Sequence, residues 1–319
     1  RDKRLRACAR QYWFQHYGMW GGWEGDAPPR TREAYLLKHL KNRHAWMGIR
    51  VNECVARSIE HLRRGQPVLP VAQVVEATIA LMRKEFVQSR RRYWRDKPKA
   101  YLGLFEHEYG VPVPDAKWKS LAAAAARCLH AFYGSDIWAS LRSLPPEAIL
   151  EVEKLSSFDF EGTPVWVSPD CAAREGEEVT VYDWKTGARM DEDHSPQLAC
   201  YALYGTGAWN VPIGRIRMVE YNLRGNRVRE YRMTEKELRQ VADAMRASMD
   251  DMKALLLDAS RNEPRPEEAF ATTDDPATCR RCPFLRICPR GEAVLKEGGG
   301  VENTEDERRR TGGGEQQDG

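Results

Sequence analysis

The segment from Asp170 to Gly187 reads DCAAREGEEVTVYDWKTG, two strand-prone runs on either side of Gly176-Glu177. A two-residue hairpin loop with glycine at its first central position leaves the flanking runs one way to pair. That register sets Asp170 directly opposite Asp183. Because strand side chains alternate, Asp183 and Lys185 share one face while Tyr182 and Trp184 point to the other.

Two carboxylates and an ammonium therefore converge at one end of the hairpin. Opposed carboxylates repel, and a sheet tolerates them badly unless a cation lies between them. Oxygen ligands with several retained waters suit Mg²⁺ or Mn²⁺, and a lysine beside such an ion can orient water or offset charge on a phosphate. The same pattern also suits a surface hairpin with scattered charges, and the residues alone leave both readings open.

Downstream, HSPQLACYALY predicts a helix with Ser195 at the cap and Pro196 in the first turn. Gln197 and Tyr201, four apart, lie on one of its faces, and Cys200 lies on another. Earlier in the chain, the spacing of Met47, Val51, Val55, Ile59 and Leu62 predicts one helix from Glu33 to about Arg64. Further helices are expected from Val71 into a basic cluster and from Trp118 to Tyr133. Short strands should fill the region from about Ile149 to Leu223, where GTPVWVSPD reads as a strand ending on Asp170. Thr234 and Glu237 form a capping box, before a helix whose buried stripe is Leu238, Val241, Met245, Met249, Met252 and Leu256.

The 319 residues are 42% hydrophobic and 30% charged, as in a soluble globular protein. No run approaches twenty apolar residues and no signal peptide is evident, so a cytoplasmic protein is expected. The sequence starts on Arg1, not Met, so a short preceding piece is expected to be missing. The glycine-rich, charged tail from about Gly298 predicts disorder. Net charge is only +3. Locally, however, SRRRYWRDKPK carries Arg90, Arg91, Arg92, Arg95, Lys97 and Lys99 against Asp96, with Tyr93 and Trp94 between them. Such a segment suits phosphates plus base stacking, or else a solvated helix face.

Of eight cysteines, Cys54, Cys128, Cys171 and Cys200 stand singly and are expected to be small buried residues. Cys279, Cys282 and Cys288, followed by Pro289, have the spacing of a soft-metal site, and Cys8 is the candidate fourth ligand. Zinc and a [4Fe–4S] cluster both accept that set, and either would act as a structural clasp.

Taken together, CARQYWFQHYG, GIRVNECVARSI, VEKLSSFDFEGTPVWVSPD, VYDWKTG, QLACYALY and the cysteine loop occur in an order that resembles the PD-(D/E)XK nucleases. The similarity is to the RecB-like exonuclease branch with an iron–sulfur clasp, which includes nuclease domains of helicase–nuclease repair complexes and nucleases of CRISPR spacer acquisition. The resemblance implies an α/β (α+β) fold with a mixed central sheet flanked by helices. It implies a helical part over 1–148, a nuclease core over 149–260, a cysteine loop over 261–292 and a tail over 293–319. It further implies Asp170 and Asp183 as metal ligands, Lys185 as the catalytic lysine, Gln197 and Tyr201 beside the site, and Cys8, Cys279, Cys282 and Cys288 on a [4Fe–4S] cluster. Arg90, Arg91, Arg92, Trp94 and Arg95 are the expected DNA contacts. The expected activity is metal-dependent cleavage of single-stranded DNA or duplex ends, with a helicase or other repair or integration protein as partner and no membrane; the alternative is an inactive, DNA-binding relative.

One position departs from the family. Where its early helix often has Gly-x-x-x-His, Gly48 is followed by Asn52. Asparagine offers a carbonyl oxygen but no imidazole. Glu53 would substitute only if the helix rotated, His44 is a turn away on the wrong side of Gly48, and Glu153 is a further candidate acid.

Overall fold

The computed structural model describes residues 1–187 and 195–297, without the side chain of Ser195. The expected disordered tail lies outside the described residues. In chain order the helices before the sheet are α1 (Asp2–Ala7), α2 (Ala9–Trp13), α3 (Pro29–Leu37), α4 (Arg43–Arg63), α5 (Val71–Arg90), α6 (Phe105–Glu108), α7 (Asp115–Tyr133) and α8 (Asp136–Ser143). Strands β1 (Ile149–Val152), β2 (Ser156–Phe160), β3 (Thr163–Val167), β4 (Cys171–Glu175) and β5 (Glu178–Lys185) follow. Then come α9 (Ser195–Ala208), β6 (Ile216–Asn222), β7 (Arg227–Tyr231), α10 (Glu235–Lys253), β8 (Leu256–Asp258), β9 (Glu263–Pro264), α11 (Pro276–Cys279) and α12 (Pro289–Lys296).

The chain forms two compact units, neither continuous in sequence. One comprises Arg1–Arg43, Glu85–Trp118 and Ala247–Gly319; the other comprises His44–Lys84 and Lys119–Arg246.

The second unit holds the mixed sheet that the sequence implied, with strand order β1-β4-β5-β6-β7. β5 and β6 run parallel, while the other neighbours are antiparallel. A parallel pair needs a crossover, and α9 supplies it. The central strand β5 is buried on both faces. Val179 and Val181 pack with Leu198, Ala199, Tyr201 and Ala202 of α9. On the opposite face, Trp184 meets Phe132 of α7 at 5.2 Å between ring centroids and Tyr221 of β6 at 6.4 Å. β2 and β3 form a separate hairpin. The strand expected to end on Asp170 therefore stops at Val167, and 168–170 link that hairpin to β4.

The predicted helix from Glu33 to Arg64 is two helices. They part where Lys41 bridges Leu104, donating to Gly103 O at 2.9 Å and accepting from Phe105 N at 2.9 Å. The capping box of α10 forms as expected: Glu237 accepts from Thr234 N at 2.8 Å and from its hydroxyl at 2.7 Å. Its apolar stripe, however, is only half-buried. The helix ends at Lys253, so Leu256 belongs to β8.

In the first unit, residues far apart in sequence meet on buried acids. Glu267 is 9% exposed and accepts from Arg10 at 2.8 Å and from Arg30 at 2.6 and 2.7 Å. Phe14 stacks on Phe284 at 5.2 Å. Removing one member of a buried ion pair leaves the other charged and desolvated, at about 3 kcal/mol. Glu267→Ala should therefore lower the unfolding free energy by that amount, read by circular dichroism as a lower chemical-denaturation midpoint at unchanged slope.

Candidate active site

The site lies in the second unit, and the hairpin register creates it. The Cα partners are Cys171↔Tyr182, Ala172↔Val181, Ala173↔Thr180, Arg174↔Val179 and Glu175↔Glu178, with Gly176 at φ +60° in the turn. Glycine adopts that left-handed backbone without strain. One step beyond the Cys171↔Tyr182 pair, Asp170 stands against Asp183. Its Oδ2 accepts from Trp184 N at 2.6 Å, which fixes the carboxylate to the neighbouring strand. Burial first, and then the charge of Asp183, push the Asp170 carboxyl above its ordinary range; the Trp184 N–H and Lys185 pull the other way.

Asp183 is 2% exposed. Lys185 Nζ lies 2.5 Å from its Oδ2 and 3.4 Å from Gln197 Oε1. Gln197 Nε2 reaches Asp183 Oδ1 at 3.3 Å and donates to the Tyr201 hydroxyl at 2.6 Å, and that hydroxyl in turn donates to Ser168 O at 3.1 Å. Burial, followed by the charge of Asp183, raises the Tyr201 hydroxyl above its usual range and keeps it protonated. Asp170, Asp183, Lys185, Gln197 and Tyr201, chosen from sequence, are thus brought together at the end of β5 under α9.

Helix α4 passes the same strand end. A Cβ on Gly48 would lie 2.8 Å from Thr186 Oγ1 and would push that side chain aside, so glycine suits this close approach. One turn on, Asn52 Oδ1 is buried with no hydrogen-bond partner. Glu53 pairs with Arg50 at 2.7 Å. Glu153, at φ +43°, donates its N–H to Asp170 O at 3.2 Å. Burial and then the charge of Glu53 raise the Glu153 carboxyl, so acids from α4 and from the end of β1 face the Asp170 side.

Sequence reasoning missed Glu220 and Asn222 of β6. Its parallel register sets Glu220, 1% exposed, beside Asp183, and Asn222 beside Lys185. Paired residues share a face, so Glu220 adds a third buried acid to the row. Asn222 donates to Gly187 O at 3.0 Å and accepts from Gly225 N at 2.6 Å, bracing the turn that follows Lys185. The only available signal was a lone acid within the apolar run MVEYN. Glu151 was missed as well; it is buried in β1 and accepts from the Tyr204 hydroxyl at 2.5 Å and Trp209 Nε1 at 3.3 Å.

In the first unit, Cys8, Cys279, Cys282 and Cys288 line one pocket with Gln11, Phe14 and Leu285. Burial raises the Cys282 thiol most, and proximity to Cys8, Cys288 and Cys279 adds to it. Among the described residues no three His, Cys, Asp or Glu side chains form a ready-made site for a metal ion. Of the solitary cysteines, Cys128 and Cys171 are buried, but Cys54 and Cys200 are only partly so.

The basic segment differs from its expected role. Trp94 is fully buried among Phe14, Leu36 and Leu37, and has no face for a base. Arg95 is bound to Glu108 and, at 2.9 Å, to Glu33; Arg92 lies 3.7 Å from the same Glu108. A buried carboxylate demands counter-charge, and these arginines supply it. Arg90, over Phe86 at 5.8 Å, and Arg91, donating to Tyr93 Oη at 3.3 Å, remain at the surface.

No curated protein matches the chain. A solved structure titled "Crystal structure of SSO0001" is 19% identical with a TM-score of 0.25, over 56% of this chain and 79% of that one. No helix among the described residues is long and apolar enough to cross a membrane. The family model described as "PD-(D/E)XK nuclease superfamily" matches residues 3–289, which include the Asp170, Asp183 and Lys185 constellation and all four pocket cysteines. The chain belongs to the PD-(D/E)XK nuclease superfamily.

Proposed function

We propose that this chain is a Mg²⁺- or Mn²⁺-dependent deoxyribonuclease of the RecB-like branch. The observation that carries this reading is the convergence of Asp170, Asp183, Lys185, Gln197 and Tyr201 within one hydrogen-bonded set. Asp183 raises the proton affinity of Asp170, and the two carboxylates form an anionic cradle for a divalent cation. Asn52, with its buried and unpartnered Oδ1, fits a third oxygen ligand where the family often has histidine. A Mg²⁺ or Mn²⁺ ion held by Asp170, Asp183 and Asn52 would supply a water acidic enough to attack and a counter-charge for the phosphate.

The chain's own residues would do the rest. Lys185 is tethered by Asp183 and Gln197 and offers N–H donors to a scissile phosphate or its attacking water. Gln197 holds both Asp183 and Lys185, while Tyr201 fixes Gln197 against Ser168. Both are positioning residues. The resemblance supports an exonuclease that acts on single-stranded DNA or duplex ends in repair, recombination or CRISPR-type processing, beside a helicase or integration protein in the cytoplasm.

Labelled single-stranded DNA incubated with Mn²⁺ should be cut by the wild type. The rate should be lower by about a hundredfold or more in Asp183→Ala and by roughly 10²–10³ in Lys185→Ala. Equal rates in wild type and Asp183→Ala would instead favour an inactive, DNA-binding relative, the reading that the Asn52 replacement supports. Asn52→Ala should weaken Mn²⁺ affinity by roughly ten- to a hundredfold in a calorimetric titration.

We also propose a [4Fe–4S] cluster on Cys8, Cys279, Cys282 and Cys288. Four thiols lining one pocket suit a soft-metal centre, and the resemblance favours a polynuclear cluster over zinc. Its role is structural, tying the segment around Cys8 to the loop 279–288. Anaerobically purified protein should be brown and should bleach in air, and Cys282→Ser should lose iron and unfold earlier. A colourless protein with stoichiometric zinc would overturn the assignment.

A further inference from the structure

Two tryptophans of the first unit stand out in solvent on one turn. Trp20 is 70% exposed and Trp23 42%, and their rings meet edge to face at 5.1 Å. Buried tryptophans dominate apolar cores, so two left exposed and adjacent mark a surface that something else covers. The turn is fastened to α3, where Arg32 donates to Gly22 O at 3.0 Å and Trp23 meets Tyr35 at 5.9 Å. Tyr35 in turn meets His39 at 5.1 Å. The aromatic ledge is therefore continuous from Trp20 to His39.

Cations border the ledge. Lys38 Nζ lies 5.8 Å over the Tyr35 ring, and its hydrogen-bond acceptor is the Met19 thioether at 3.1 Å, a weak partner for an ammonium. Burial lowers the Lys38 ammonium, with Lys99 adding to that, and burial and then Arg4 lower Lys41. His39 is pushed down to about 4 by burial and then by Lys38, Lys41 and Lys99. His16 is pushed down to about 4 by burial and then by positive neighbours that include Arg1, Arg4 and Lys38. The charges acting most strongly on this group are all positive, and Nε2 of both histidines is buried without a partner. Anions would relieve that mutual repulsion.

We propose that this face is a platform for single-stranded DNA, on which Trp20 and Trp23 stack with unpaired bases while Lys38, over the adjoining Tyr35 ring, takes phosphate. Stacking rings joined to a cationic border match an unpaired strand, because a duplex hides its base faces from such rings. The choice of DNA as ligand rests on the nuclease reading above.

The test uses the full chain in EDTA, so that nothing is cut, with fluorescence anisotropy of a labelled oligo-dT and of a duplex of equal length. Trp20→Ala with Trp23→Ala should weaken oligo-dT binding by on the order of tenfold and change duplex binding little. Lys38→Gln should weaken both and lower the salt slope for oligo-dT by about 0.7. Both variants should keep the wild-type circular dichroism, since Trp20 and Trp23 are exposed and glutamine keeps most of the half-buried Lys38 stem. Oligo-dT binding that survives the tryptophan replacements, or tryptophan replacements that weaken single strand and duplex equally, would overturn the platform. The two readings fail separately. Asp183-dependent cutting with tryptophan-independent binding removes only the platform, whereas tryptophan-dependent binding without cutting removes only the nuclease.

Discussion

The antiparallel pairing of β4 with β5 holds Asp170 and Asp183 face to face, an arrangement that electrostatics alone would disperse. It persists because the main chain pins it: Trp184 N–H binds Asp170 while Lys185 and Gln197 hold Asp183. Each of those restraints depends in turn on β5 being buried on both faces. Apolar side chains of one parity seat α9, which carries Gln197 and Tyr201, and aromatics of the other parity seat α7. The free energy of core burial thus offsets the repulsion concentrated at the strand end. A one-residue slip would turn the carboxylates toward Phe132 and the aromatics toward α9.

Local signals were legible in the sequence wherever a short-range rule decides the geometry. The two-residue turn at Gly176 fixes parity, so Asp170, Asp183 and Lys185 could be placed on one face before any tertiary contact was known. A four-residue helical interval placed Gln197 with Tyr201, and the Thr234 and Glu237 box marked the start of α10. Glu220 obeys no such rule. Its position beside Asp183 follows from a parallel register set by the crossover through α9, for which nothing near Glu220 encodes the offset.

Tertiary contacts also explain the readings that changed. Trp94 stands between arginines and reads as exposed, yet its indole is taken into the core with Leu36 and Leu37. Arg95 beside it is committed to Glu33 and Glu108, which come from helices distant in sequence. The helix expected to run through residues 38–42 is interrupted by the bridge from Lys41 to Leu104. In the opposite sense, the stripe of α10 reads as core but is only half-buried. Periodicity reports an amphipathic face without reporting what, if anything, covers it.

The interleaving of the two units bears on the order in which the molecule can form. Arg10 and Glu267 are separated by 257 positions, and the whole of His44–Lys84 and Lys119–Arg246 lies between them. A ribosome therefore delivers every residue of the sheet-bearing unit before it delivers the carboxylate that neutralises Arg10. Contacts of such long sequence separation close slowly, because loop entropy is lost before they form. During synthesis the segment that carries Cys8 waits without its partners, and the sheet around Asp170 and Asp183 has the head start.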